Sequence, residues 1–255
     1  MYANAIAASH SEQSRTVRPQ LRAVPKVAGA EPRANLPAEL ATLVTKLAPG
    51  KRRVRQGEWL FHSGTPFHHL YLVRAGMFKS IVLDADGREQ VIGFHMTGDC
   101  LGLDGIESEV CQSNAVALED SEVWEISFSR LEARCRQDPC TQRLLHRLMS
   151  REIQRDYHMM LLLGSMSADE RLAAFLVNLS QRMVARGYSA TQFILRMSRR
   201  EIGSYLGMTL ETVSRAFSRF QREGLVRAAL KSVELRDVER LRSMVGATAR
   251  GAACA

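Results

Sequence analysis

Met197–Gly224, MSRREIGSYLGMTLETVSRAFSRFQREG, reads as two helices joined by a tight turn. Ser198 followed three residues later by Glu201 is a capping box, so a helix starts there. Ile202 and Leu206, four apart, give it a buried stripe, and Gly207 ends it at a position suited to a left-handed residue. Thr209 caps a second helix that runs to Gly224. At about 100° per residue, Leu210, Val213, Phe217 and Phe220 share the side that must face a core. Glu211, Arg215, Ser218, Arg219 and Arg222 share the opposite side, with Thr212 and Ser214 at its margins.

A face that offers a carboxylate, hydroxyls and guanidiniums suits a DNA major groove. Arg bonds guanine O6 and N7 bidentately, Glu accepts from the cytosine amine, and hydroxyls or further Arg take phosphates. In a helix-turn-helix the second helix enters the groove N-terminus first, which puts Glu211 to Arg215 nearest the bases. The candidate DNA-binding residues are Glu211, Ser214 and Arg215, with Thr212, Ser218 and Arg219. Arg199, Arg200 and Thr209 complete the set. A solvated face of an ordinary helical hairpin would also be charged. The capping box, the glycine turn and the E-T-V-S-R run together argue against that reading.

These residues carry a resemblance to the Crp/Fnr transcription regulators, on the Fnr/FixK side. R-E-I-G-S-Y-L-G-M-T-x-E-T-V-S-R-x-F at Arg200–Phe217 is joined by G-F-H-M-x-G-D at Gly93–Asp99 and E-R-L-A-A-F-L-x-N-L-S at Glu170–Ser180. The resemblance spans about Leu36 to Leu241. It implies an α+β chain with an N-terminal cyclic-nucleotide-binding-like β jelly roll, a long dimerisation helix and a C-terminal winged helix-turn-helix. The expected boundaries are 1–35 for a disordered tail, 36–137 for the sensor domain and 138–165 for the dimerisation helix. The DNA-binding domain takes 166–245, and 246–255 form a flexible tail.

Charge supports the division. Residues 166–245 hold 14 Lys/Arg against 8 Asp/Glu, whereas 36–165 hold 15 against 17, so the basic excess sits with the helix-turn-helix. The apolar fraction of 45% suffices for a globular core. No apolar run approaches the roughly 20 residues of a membrane span. The start, MYANAIAASH, lacks a basic n-region, so a cytoplasmic protein without a membrane partner is expected.

Between Val54 and Phe128 short strands alternate with glycine, aspartate and proline turns. Trp59–His62, His69–Ala75, Met77–Asp84, Arg88–His95 and Val123–Phe128 are the candidates, with Asp86-Gly87 as a hairpin turn. Leu36–Leu47 is expected to be a helix. Thr191–Met197 is expected to be a strand, and Leu225–Val226 with Ser232–Leu235 to form the wing. Asp138-Pro139 starts a long helix. Its stripe Leu145, Met149, Ile153, Asp156, Met160 and Leu163 has coiled-coil spacing, which fits a homodimer seam, although a helix packed on its own barrel would also be apolar. Asp156 would meet its symmetry mate there. The aligned aspartate of the oxygen-sensing branch resembles a brake on dimerisation.

The resemblance also sets expectations for cofactors. Oxygen-sensing members ligate an iron–sulfur cluster through an N-terminal cysteine group and one further cysteine. Here no cysteine precedes Cys100, and Trp124 stands near the fourth ligand position, so no such cluster is expected. Members that bind cyclic AMP meet its phosphate with an Arg-Ser pair. Here Ser113-Asn114 stand in that place, and neither Arg nor Lys occurs between Arg88 and Arg130, so no cyclic AMP is expected. His62, His68, His69 and His95 match no metal-site spacing. Cys135 and Cys140 are read as structural thiols rather than a redox pair. No nucleophile–base pair, P-loop or dinucleotide fingerprint appears, and no catalytic or metal residue is assigned.

The expected function is a homodimeric regulator that binds double-stranded DNA at an inverted repeat of TTGAT-N4-ATCAA type. It would act with RNA polymerase as an activator, or repress by occlusion. The alternative is a haem, nitric-oxide or other small-molecule sensor of the same fold, whose DNA binding depends on its effector.

Overall fold

Eight short strands form two four-stranded sheets that face each other as a jelly roll. They are β1 (Lys51–Val54), β2 (Trp59–Phe61), β3 (His69–Ala75), β4 (Met77–Leu83), β5 (Glu89–Met96), β6 (Cys100–Leu101), β7 (Asn114–Ala117) and β8 (Ser121–Ser127). One sheet has the order β1-β8-β3-β6 and the other β2-β7-β4-β5. The computed structural model describes residues 38–47, 50–84 and 86–251; the expected N-terminal tail and Leu36 lie outside them. The five expected strands are present, His69–Ala75 with the expected ends and the others with ends no more than two residues away. Sequence reading missed β1, β6 and β7. All four residues of β7 are buried, so it lacks the alternation that marks a half-exposed strand.

Helix α1 (Ala38–Leu47) packs against β8 and the helix α3 (Pro139–Ser165), into which α2 (Phe128–Gln137) leads. As expected, Asp138 caps α3, accepting from the Cys140 N–H at 2.9 Å, with Pro139 in the first turn. Leu144 and Leu148 of α3 join the barrel core with Leu40, Leu70, Leu72 and Ile126. The stripe beside them is left uncovered. Met149 is 37% exposed, Ile153 48%, Met160 67% and Leu163 38%, flanked by exposed Tyr157 and Leu161. Asp156 is exposed and Leu145 half-buried. The helix therefore has two apolar faces, and the barrel uses only one.

The C-terminal region comprises α4 (Ala168–Val184), β9 (Gln192–Ile194), α5 (Arg199–Leu206), α6 (Leu210–Arg222), β10 (Val226–Ala229), β11 (Ser232–Leu235) and α7 (Val238–Gly251). The wing sheet runs β10-β11-β9. The tail expected from residue 246 is instead helical as far as Gly251. Among the described residues, no helix is long and apolar enough to cross a membrane.

This region is not a separate bead. Met77, Ile81, Val91, Phe94 and Met96 of the β4–β5 hairpin share one core with α4, α5, α6 and the wing. The Phe94, Phe175 and Tyr205 rings form a triangle with centroids 5.0–6.1 Å apart. Lys79 pairs with Glu201 at 2.9 Å, and the Val91 N–H donates to the Ser204 hydroxyl at 2.8 Å. Asp99, 6% exposed, follows β5 and accepts from Arg155 of α3 at 2.6 Å and from Arg182 of α4 at 2.6 Å. Arg186, just past α4, donates to it at 3.1 Å, and so does the Met96 N–H at 2.9 Å. Burial alone would raise the Asp99 carboxyl, but Arg182, Arg155 and Arg186 hold it well below the usual carboxylate range.

Candidate nucleic-acid interface

The local chemistry read from the sequence builds the helix-turn-helix. The Ser198 hydroxyl accepts from the Glu201 N–H at 3.2 Å, and the Glu201 carboxylate accepts from the Ser198 N–H at 2.7 Å. Gly207 ends α5 in the left-handed region at φ 62°. Gly203 has a role that the sequence reading did not assign. A Cβ there would stand 2.6 Å from the Met208 carbonyl oxygen, so only glycine lets α5 approach the turn this closely. Thr209 caps α6, accepting from the Thr212 N–H at 3.2 Å. Val213, Phe217 and Phe220 are buried with Ala216, whereas Leu210, expected on the core side, is 39% exposed in the first turn.

The outer face of α6 presents Glu211, Ser214, Arg215, Ser218 and Arg222 to solvent. Among the described residues, no hydrogen bond or ion pair engages the side chains of Arg200, Arg215 or Arg222, so their donors are free for an incoming ligand. Glu211's own backbone N–H and the Thr209 hydroxyl hold its carboxyl below the usual range, with Arg215 and Arg200 adding to the effect. It is a carboxylate, and hence an acceptor only, at neutral pH.

Four members of the expected set stand differently. Thr209 and Thr212 are bonded to each other, with their hydroxyl oxygens 3.0 Å apart, at the base of the helix. Arg219 is tied to Asp169 of α4 at 2.7 Å. Arg199 does not lie on the free face. Its guanidinium carbon sits 3.2 Å from the centroid of the Phe217 ring, and burial lowers it to about 10. The exposed outer face is therefore Glu211, Ser214 and Arg215, with Ser218, Arg222 and Arg200 around it.

Burial makes three of the thiols and one histidine poor reactive groups. Burial pushes Cys100 up to about 12 and raises Cys111 and Cys135 as well. His95 is buried, hydrogen-bonds Ser80 through Nε2 and is lowered by burial to about 3, so it is a neutral core side chain. Among the described residues, no group of three or more His, Cys, Asp or Glu is placed to hold a metal ion.

Comparison with known proteins agrees with this architecture. Residues 170–244 match the Crp-like helix-turn-helix domain and residues 51–138 the cyclic nucleotide-binding domain. The chain is 46% identical over 211 residues to the transcriptional regulatory protein Btr of Bordetella pertussis, covering 83% of this chain and 87% of that protein. It is 48% identical over 200 residues to the transcriptional activator Anr of Pseudomonas aeruginosa, covering 78% and 82%. The structure of FixK2 from Bradyrhizobium japonicum superposes with a TM-score of 0.70 at 34% identity, covering 76% of this chain and 96% of that one. With a helix-turn-helix of this form behind a jelly roll and relatives that match most of its length, the chain belongs to the Crp/Fnr family of DNA-binding transcription regulators.

Proposed function

We propose that two copies of the chain bind an inverted repeat of TTGAT-N4-ATCAA type, each reading one half-site with Glu211, Ser214 and Arg215. The observation that carries this reading is the solvent-exposed carboxylate, hydroxyl and guanidinium that Glu211, Ser214 and Arg215 present on the first turns of α6. Arg215 donates bidentately to guanine, and Glu211 accepts from the cytosine amine. Fluorescence anisotropy on that duplex, against a scrambled one at the same salt, is the test. No preference over the scramble overturns the site assignment. Arg215→Ala is expected to cost about 1–3 kcal/mol of binding, concentrated at one guanine. A uniform loss across sequences would mark Arg215 as a phosphate contact instead.

Dimerisation is supported by the uncovered stripe Met149, Ile153, Met160 and Leu163 on α3. Asp156 lies within it, and like charges brought together at a two-fold axis oppose association. Asp156→Ala is expected to tighten the dimer about two- to fivefold in sedimentation, the range set by about 0.4–1 kcal/mol for a solvated pair. An unchanged dimer constant overturns the role of Asp156.

The regulator works in the cytoplasm without cyclic nucleotide or iron–sulfur cluster. Ser113 donates to Asp104 at 2.7 Å, and Asn114 accepts from the Ser63 N–H at 3.0 Å, so the residues in the phosphate-binding place are engaged with the protein and carry no cation. Contacts to RNA polymerase come from the Asp84–Arg88 turn and the surface near Glu119–Ser121. Equal DNA binding in air and without oxygen is expected. Binding only under anaerobiosis would favour the redox or metal alternative.

A further inference from the structure

Neither α3 nor α5 has a basic residue in its last turn. The final carbonyls of a helix nevertheless lack partners within it and form the negative end of its dipole. One side chain from elsewhere serves both ends. Arg171, in the first turn of α4, donates from Nη2 to the Leu163 carbonyl at 2.7 Å and from Nε to the Met166 carbonyl at 2.9 Å, at the end of α3. Its Nη1 donates to the Leu206 carbonyl at 3.1 Å and reaches the Gly207 carbonyl at 3.5 Å, at the end of α5.

The surroundings hold this arrangement in place. A capping box fixes the start of α4, with the Ser167 N–H donating to the Glu170 carboxylate at 2.7 Å and the Ser167 hydroxyl accepting from the Glu170 N–H at 3.4 Å. A Cβ at Gly207 would stand 3.1 Å from Leu163 Cδ2 and 3.4 Å from Arg171 Nη1, so the glycine allows the two helix ends to approach. The planar guanidinium donates in three fixed directions, whereas a lysine ammonium on a flexible stem cannot hold both ends in one orientation.

We propose that Arg171 is a positioning residue that fixes the angle between α3 and the helix-turn-helix, and so sets the spacing of half-sites the regulator accepts. The inference rests on the dimeric, inverted-repeat reading above. Lengthening a spacer by one base pair shifts a half-site by about 3.4 Å and rotates it by about 35°. A dimer rejects that change only if each reading helix is rigidly set against the helix that joins the two copies. Arg171 links α3 directly to α5, the helix that the Gly207 turn joins to the reading helix α6, and its bonds go to backbone carbonyls rather than to the side chains of the outer α6 face or the α3 stripe.

The test is anisotropy on the four-base-pair spacer and on spacers one base pair shorter and longer, for wild type, Arg171→Lys and Arg171→Gln. Circular dichroism and sedimentation establish folding and dimerisation of each. Wild type is expected to favour one spacer by about tenfold or more, and both variants to fall to about threefold or less, with the preference for TTGAT over a scrambled half-site retained. An unchanged spacer profile in folded, dimeric variants overturns the proposal, as does loss of half-site preference together with spacing. Failure of both variants to fold also overturns it, making Arg171 a stability residue. If wild type binds a repeat no better than a single half-site, the dimeric reading itself fails, which is a different result from a flat profile confined to the variants.

Discussion

Asp99→Ala is expected to destabilise the protein by about 3–5 kcal/mol, the cost of removing one partner from a buried charge cluster. Arg155, Arg182 and Arg186 converge on this one carboxylate; among the described residues only Arg155 has a second carboxylate on hand, Glu152 at 2.9 Å, while Arg182 and Arg186 otherwise donate to backbone carbonyls. The variant leaves guanidiniums crowded together and partly desolvated without their counter-charge. The loss also falls on a joint, because Asp99 belongs to the barrel and two of its arginines to α4 and its end. Trp59 and Trp124 both lie in the barrel, so their fluorescence follows that part, while far-ultraviolet circular dichroism follows the helices. In urea the two signals should coincide for wild type and separate for Asp99→Ala, since coincident transitions mark cooperative unfolding. Coincident curves of unchanged midpoint would show that the cluster contributes nothing.

The same group sets an acid limit. The folded Asp99 carboxyl titrates below its unfolded value of about 3.9. Its contribution is therefore complete at neutral pH and is lost only as pH falls below about 4 toward the folded value. The stability gap between wild type and Asp99→Asn should stay constant from neutral pH down to that point and narrow below it. A gap that closes near pH 6 would implicate another group.

What could be read from the sequence was what short-range chemistry determines. Ser198 and Glu201, Thr209, Gly207 and the Asp138-Pro139 start each act within a few residues, and the 3.6-residue period of α6 separates its buried and exposed faces with no knowledge of the rest. The apolar stripe of α3 was equally visible, but its partner was not, because a second run, Leu144 and Leu148, faces the barrel beside it. The joint between domains escaped altogether. Asp99 finds its partners 56, 83 and 87 residues away, and nothing in a local pattern distinguishes those arginines from solvated ones. The surroundings of Arg199 were hidden for a related reason. Its position at the start of α5 fits a phosphate contact, while its observed partner is a ring on the next helix, and only the fold brings the two together. Helix α2 went unread because one of its ten residues, Leu131, is buried, which leaves no period to detect.

That stacked pair makes Phe217 the position where stability and recognition meet. Its ring is 3% exposed on the inner side of α6, two residues beyond Arg215, and its face carries the Arg199 guanidinium. Phe217→Ala is expected to cost about 3–5 kcal/mol, the range for truncating a buried aromatic. It would leave a cavity under the reading helix and deprive Arg199 of its partner. Phe217→Leu separates the two effects. It keeps most of the volume, so the packing cost should fall below about 1.5 kcal/mol. The lost π face adds roughly 0.5–2 kcal/mol. Urea denaturation of the two variants, with anisotropy on the inverted repeat below the unfolding midpoint, tells them apart. If the ring serves only to fill space, Phe217→Leu should lose no more than that packing cost in urea and match wild type in DNA binding. If the stack also holds the start of α5 against α6, Phe217→Leu should bind DNA more weakly while remaining folded, because a tilt of α6 moves Glu211 and Arg215 together relative to the bases.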